Sequence, residues 1–262
     1  CLAATLPATA QEPAARQRAW MDTVELNHAT IKGYRAGLRT DDNGTLLWNI
    51  QDIGRLPQIL GNADPIHYAH FLPGVQMNGE YKSGVHIQGC ESSQNMIDLG
   101  GVPIYNVNHL LGLFSTFNTP HFSKMALNTS PTKAADPNRI GGRLSMQPYD
   151  EPPQQTTGEV TLGLISSQGT LRTPVGKKVS LAVSARASYF NLIYGHWLIM
   201  GETELNYRFF DTNATLAIRP DSLNTITLNA YAGQDVGRMD EPYYVAAMKA
   251  RWGNTMGSLT WH

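Results

Sequence analysis

The sequence predicts an α+β globular module followed by a run of antiparallel amphipathic strands. Three observations carry this expectation. From Phe71 to Leu144 the chain is punctuated by glycines, with Asn95-Met96-Ile97-Asp98-Leu99-Gly100-Gly101-Val102-Pro103-Ile104-Tyr105-Asn106 at the centre. Around Pro148, Pro152 and Pro153 the texture changes to that of a linker. Beyond it, apolar and polar residues alternate with period two as far as Trp261.

Composition sets the outer bounds. The chain has 262 residues, enough to bury a core, and 20 basic against 21 acidic side chains, so no electrostatic footprint for nucleic acid is present. Charged residues make up 16%, below the roughly 25% of soluble domains, which suits turns and strands better than a helical bundle. Cys1 and Cys90 lie too far apart in sequence to read as a metal-ligand cluster. Residues 1–10 read as the remnant of an export signal, with Ala8-Thr9-Ala10 as the small-x-small cleavage pattern; a lipid-modified Cys1 is the other reading. No run of about 20 apolar residues exists to form a spanning helix.

Residues 11–40 form a tail that contains one short alternating stretch, Asp22-Thr23-Val24-Glu25-Leu26, able to add as an edge strand to a partner's sheet or to lie as a surface strand. Residues 41–150 make up the module. Asp64 is the expected cap of a helix over Ile66 to Leu72, with Pro65 at its first position and Pro73-Gly74 as its stop. His67 and His70 are spaced to share a helix face, but no cysteine or carboxylate motif accompanies them, and they read as surface or core-edge histidines. Val85 and Ile87 mark a strand broken by Gly89. Met96 to Leu99 leads into Gly100-Gly101, a hairpin signal, with the return over Val102 to Tyr105; Pro103 cannot donate to a ladder and places that strand at an edge.

Residues 151–262 carry the alternation. The apolar faces expected are Val160, Leu162 and Leu164; Val179, Leu181, Val183 and Ala185; Ala214, Leu216 and Ile218; Ile226, Leu228, Ala230 and Ala232; Tyr244, Ala246, Met248, Ala250 and Trp252, opposed by Lys249 and Arg251; and a sixth strand with Leu259 and Trp261. In a soluble sandwich the apolar face would point inward, and in an outer-membrane barrel it would meet lipid. Aromatics near strand ends, Tyr189, Phe190, Tyr194, Trp197, Tyr207, Phe209, Phe210, Tyr243, Trp252 and Trp261, fit either membrane girdles or ordinary core.

Seven ordered blocks then resemble the plug domain of TonB-dependent outer-membrane receptors. They are Arg55-Leu56-Pro57, Asp64-Pro65, Leu72-Pro73-Gly74-Val75-Gln76, Gln94-Asn95-Met96-Ile97, Gly101 to Asn106, His109 to Asn118, and Gly141-Gly142-Arg143-Leu144. The resemblance implies an α+β plug domain followed by antiparallel transmembrane β-barrel strands, an incomplete barrel. Its motif residues here are Pro73, Gly74, Gly89, Gly100, Gly101, Pro103, Tyr105, Asn106, Gly141, Gly142 and Arg143. Asp22 to Leu26 falls where such receptors carry the TonB box, and Gln76, Asn78, Tyr81, Tyr105 and Asn108 fall at apical positions that would contact substrate.

The family departs from this chain near Gln88-Gly89-Cys90, where an Arg-Gly-Gly is usual, and at Gly100-Gly101, where an Asp-Gly is usual. Loss of that Arg and Asp implies weaker polar contacts between plug and barrel. With about twenty-two strands in a complete barrel of this kind, six imply a fragment. The function implied is import of a scarce nutrient, an iron chelate, cobalamin or an oligosaccharide, with the plug gating the pore. The partners implied are TonB with its inner-membrane energising complex, outer-membrane lipid and a surface lipoprotein lid. No cofactor, metal or nucleic acid is implied, and no nucleophile elbow or paired-carboxylate site suggests an enzyme. An exported soluble β-domain binding glycan or protein is the alternative.

Overall fold

A computed structural model describes residues 37–56, 58, 60–77, 84–129, 139–149, 151–194, 199–200, 203–240 and 248–262, all within a unit spanning Arg35–His262. The candidate box at 22–26, the signal remnant, Asn78, Tyr81, and most of the 128–138 segment lie outside the described residues.

The N-terminal module is built from short elements: β1 (Leu38–Thr40), β2 (Leu46–Asn49), α1 (Ile50–Ile53), α2 (Pro65–Ala69), β3 (Val75–Met77), β4 (Val85–Ile87), β5 (Met96–Leu99), β6 (Val102–Pro103), β7 (Asn108–His109), β8 (Phe114–Ser115), β9 (Phe122–Asn128) and β10 (Arg143–Pro148). Its main sheet runs β1-β2-β9-β10-β5-β6, antiparallel except where β10 lies parallel to β5. Leu127, Leu144 and Met146 sit in mid-sheet and are fully buried, together with Ile53, Ile87, Phe122 and Met125.

Local chemistry explains most boundaries. The Asp64 carboxylate accepts the Ile66 and His67 N–H groups at 2.9 and 3.1 Å, capping α2 with Pro65 at its first turn. The helix ends at Ala69 rather than reaching Leu72. Phe71 and Leu72 donate back only three residues, to Tyr68 and Ala69, because the residue before Pro73 is disfavoured in helical conformation.

Gly100 and Gly101 take φ +55° and +92° as the β5–β6 turn requires, and the Asp98 carboxylate accepts the Gly101 N–H at 2.8 Å. Pro103 lies on the edge strand as expected, but the return strand is shorter: after Ile104 donates to the Ile97 carbonyl, Tyr105 leaves for solvent. Strands β1, β2 and β9 had no sequence signal. Phe122, Met125, Ala126 and Leu127 are all buried along β9, which erases period two in a strand paired on both edges.

The second sheet is an antiparallel array: β11 (Thr157–Leu162), β12 (Ser166–Pro174), β13 (Val179–Ser188), β14 (Ile199–Met200), β15 (Thr203–Ile218), β16 (Ile226–Asp240) and β17 (Met248–Trp261). Its order is β11-β12-β13-β15-β16-β17, with β14 paired to β15 and a short helix, α3 (Phe190–Tyr194), after β13. Strand β12 escapes sequence inspection because Ser-Ser-Gln-Gly-Thr-Leu-Arg-Thr-Pro is polar on both faces. The two C-terminal strands expected are one continuous strand, β17. Its phase is also the reverse of that expected around Trp252: Ala250, Trp252 and Met256 are half-buried, while Lys249 and Arg251 share the exposed face with Leu259 and Trp261.

The burial pattern of this array is inside out. Val160 (75% exposed), Leu162 (78%), Leu259 (71%) and Trp261 (74%) lie on the open face, while Ser184, Arg186, Asp211, Asn213, Thr215, Asn229 and Asp235 are buried on the other, against the module. Among the supposed girdle aromatics, Phe190, Tyr207 and Phe209 are buried in a cluster with Phe114 and Ile165, and Trp252 packs on it. Phe210 and Trp261 face outward. No helix among the described residues is long and apolar enough to cross a membrane, which says nothing about strands.

Candidate functional site

The module meets the array through a buried polar seam, and His109 is its centre. Strands β7 and β8 pair Asn108 with Ser115 and His109 with Phe114, joined by a tight turn over Leu110–Gly112. The His109 ring stacks on Phe209 with centroids 4.3 Å apart and planes 9° apart. Both its nitrogens meet carboxylates on the array: Nε2 lies 2.9 Å from Asp211 on β15, and Nδ1 lies 2.8 Å from Asp235 on β16. Two carboxylate partners require two N–H donors, so the ring is an imidazolium. Burial works against that charge, but the bonds to Asp211 and Asp235 outweigh it and raise the His109 pKa above its ordinary value, with Arg186 opposing them.

Arg186 on β13 completes the charge balance. Its Nε and Nη2 donate to Asp211 at 3.0 and 2.6 Å, and Nη2 also donates to the Ser115 carbonyl of the module. Tyr231 donates to Asp211 at 2.7 Å, Tyr207 donates to Asp235, and the Leu110 N–H donates to the Tyr207 hydroxyl at 2.7 Å. Two cations thus face two anions, and Arg186 and both carboxylates have further hydrogen bonds, which is what permits four charges to stay buried together. Leu110 holds φ +48°, a conformation unfavourable for leucine, beside its bond to Tyr207.

A second contact uses a neutral histidine. His121 Nε2 donates to Thr215 Oγ1 at 3.0 Å, and that hydroxyl donates to Asn229 at 2.9 Å. Burial, and secondarily the Arg172 cation, lower the His121 pKa to about 4. Asn254 donates to the Asn106 carbonyl at 2.6 Å, and Asn62 to Ser166 Oγ at 2.9 Å. The module therefore does have strong polar contacts with the array. They are made by His109, Arg186 and their carboxylates, not at the positions where the Arg and Asp of the resembled pattern are missing.

The sequence-derived residues fall into separate groups. Gly141 and Gly142 sit where a side chain would collide: a Cβ on Gly142 would lie 2.3 Å from Ile87 Cγ2 and 2.8 Å from the Asn128 carbonyl. Arg143 Nε donates to Asp98 at 2.6 Å, and Ser145 and Gly101 donate to the same carboxylate, so this motif organises the sheet internally. Gly74 and Gly89 take φ near +80°. Pro73 and Gln76 are exposed, as is Tyr105 (82%), while Asn108 is half-buried. His70 Nδ1 faces the His67 carbonyl, and the two rings meet edge to face with centroids 5.2 Å apart.

His109 was visible only within a resembled block. Arg186, Asp211, Asp235, Tyr207 and Tyr231 had one faint signal: a lone charge, or a tyrosine, in a strand face otherwise made of Ser, Ala, Asn and Thr.

The sequence matches no family model and no curated protein. Solved structures do match. The outer membrane transporter YddB from Escherichia coli is similar over 87% of this chain and 37% of its own, with TM-score 0.56 and 14% identity. The copper transporter OprC is similar over 86% and 36%, with TM-score 0.55 and 13% identity. The ferric enterobactin receptor PfeA, of Pseudomonas aeruginosa, is similar over 76% and 34%, with TM-score 0.51 and 16% identity. The chain has the fold of part of a TonB-dependent outer-membrane receptor and spans about a third of the length of these neighbours.

Proposed function

We propose that this chain is the plug, over about residues 41–150, and the first wall strands, over about 151–262, of a transporter in the bacterial outer membrane. The single observation that supports it most is the inside-out array: an apolar band open to the surroundings and a polar face buried against the module. A soluble β-domain would place that apolar face in its core, whereas a wall strand offers it to lipid.

On this reading the plug gates the pore. The seam joins a hydrogen-bonded ion-pair network to a small apolar cluster that sets Phe114 of the plug against Tyr207 and Phe209 of the wall, and displacing the plug requires both to be released. A scarce nutrient binds at the plug apex, where Gln76, Asn78, Tyr81, Tyr105 and Asn108 are the candidate contacts. An iron chelate, cobalamin or an oligosaccharide is the substrate class, and a surface lipoprotein is a candidate partner. Asp22 to Leu26 pairs with TonB, which delivers the work of the inner-membrane proton gradient. No bond-making step is involved.

Val24→Pro in the complete protein removes a strand donor from the box. The expected result is loss of uptake with substrate binding retained; unchanged uptake removes the box assignment. Fractionation tests the larger statement. Detergent-dependent outer-membrane material is expected, and a freely soluble monomer overturns the transporter in favour of an exported β-domain.

A further inference from the structure

Beside the seam the module and the array part, and the space between them is basic. A cavity of about 470 Å³ separates the open face of β9 and β10 from the inward faces of β16 and β17. On the module side it is lined by Lys124 and Arg143, which the register places on one face of their sheet: Lys124 pairs with Gln147, and Arg143 stands four residues earlier on β10. On the array side it is lined by Asn229 and by the directly paired Thr227 and Thr260. Among the described residues, no Asp or Glu lines it. Its volume is that of a small-molecule site.

The two cations are held differently. Arg143 Nε donates to Asp98 at 2.6 Å, which draws the side chain toward β5, on the side of β10 away from β9. Lys124 is half-buried, and its ammonium has no hydrogen-bond or carboxylate partner among the described residues. A half-buried ammonium gives up part of its hydration, and an anion in the cavity returns what it loses. The Cα positions of Lys124 and Arg143 lie about 14 Å apart, from four residues at 3.3 Å along the strand and one spacing of 4.8 Å across. With Arg143 drawn away from β9, one compact oxyanion does not serve both; negative groups spread over a small molecule do.

Asn229 ties the cavity to the seam. Its Oδ1 accepts from Thr215 Oγ1 at 2.9 Å, the hydroxyl that meets His121, and a Cβ on Gly100 of the module would lie 3.0 Å from its Nδ2. The cavity therefore begins where the His121 contact ends. It continues to the end of the array marked by Ile218, Ile226 and Trp261, opposite the long connection between β13 and β15. Long connections mark the outer side of such walls, so on the transporter reading this is the periplasmic side.

We propose that this cavity is a second binding site, for a small molecule carrying several carboxylates, with Lys124 and Arg143 as its charge partners and Asn229, Thr227 and Thr260 as its hydrogen-bond partners. Naming that molecule as cargo on its way to the periplasm rests on the transporter reading above. Among the substrate classes given there, the site selects an anionic chelate, because an uncharged oligosaccharide leaves Lys124 unpaired.

The test uses the complete protein in detergent at low salt. Binding of tricarballylate, inorganic phosphate and maltotriose is measured by isothermal titration calorimetry for the wild type, K124Q, K124R and a T227V/T260V double variant. Tricarballylate is expected to bind the wild type, to weaken at least about tenfold in K124Q, to recover in K124R and to weaken about threefold in the double variant. Added salt should weaken the wild type toward K124Q. No binding by the wild type, equal affinity in the wild type and K124Q, or equal loss in K124Q and K124R overturns the site while leaving the transporter reading intact. Tighter binding of phosphate overturns the distributed-charge assignment, and tighter binding of maltotriose overturns the anionic class. Lys124-dependent binding in a protein recovered freely soluble keeps the site and overturns the transporter reading.

Discussion

The module and the array obey opposite burial rules although both are built mostly of strands. In the module, Leu144 is 0% exposed at the middle of its sheet; in the array, Leu162 is 78% exposed, and it is Asp211 and Asn229 that are buried. What differs is where the apolar side chains point: those of the module pack within its own sheet and helices, and those of the array face outward. A strand alternates identically under either rule, so the comparison shows that the polar face, with its lone charges, carries the information about which rule applies.

The largest break in that comparison is expected at the seam. His109→Ala leaves the Asp211 and Asp235 carboxylates facing each other across a dry gap with only Arg186 and two tyrosines as partners. It should destabilise the module's docking by about 3–5 kcal/mol, measured by denaturant unfolding of the complete protein in detergent.

The pH dependence of the same residue has a definite sign. The folded pKa of His109 is raised, so the folded state holds a proton that the unfolded state releases first. Its stabilisation is therefore complete below the ordinary histidine pKa of about 6.5 and is lost as pH rises through the raised value. His109→Gln should flatten that decline, and an equally steep decline in this variant would show that another group titrates. His121 has the opposite sign: burial lowers its folded pKa to about 4, so it costs stability as pH falls from the ordinary value of about 6.5 toward 4 and adds no pH dependence above that ordinary value.

A second pair of substitutions contrasts the two regions directly. Leu144→Ala empties a fully buried mid-sheet position and should cost about 2–5 kcal/mol. Leu259→Ala, on the outward face of β17, should change stability in detergent by no more than about 0.5 kcal/mol. Similar losses at the two sites would mean that the outward face packs against protein. A loss intermediate between these two is expected at the helix cap. Asp64→Ala removes the bonds to Ile66 and His67 and the bond from the Ser115 N–H, for a loss of about 1–2 kcal/mol by the same unfolding measurement.

Much of the backbone was legible because it is governed by local sterics. The Asp64-Pro65 start of α2, the turn at Gly100-Gly101 and the edge position of Pro103 each follow from what one or two residues permit. Strands β9 and β12 were not legible. One is buried along most of its length and the other is polar on both faces, so neither shows the period that identifies a strand. The phase of β17 was misjudged for a related reason: Trp252 looks lipid-facing by type, but its register opposite Asp235 turns it inward onto Tyr207.

By itself, then, the sequence determined the location of turns such as Gly100-Gly101 and most of the faces of the strands in the array. Those properties depend on dihedral preferences and on periodicity, which are contained in neighbouring residues. Tertiary structure alone decided which face is covered and which groups carry the seam. His109 lies 102 and 126 residues from Asp211 and Asp235, and Arg186 lies 71 residues from Ser115. No local pattern links such residues, because their pairing is set by strand register and by the desolvation that leaves buried charges no other partners.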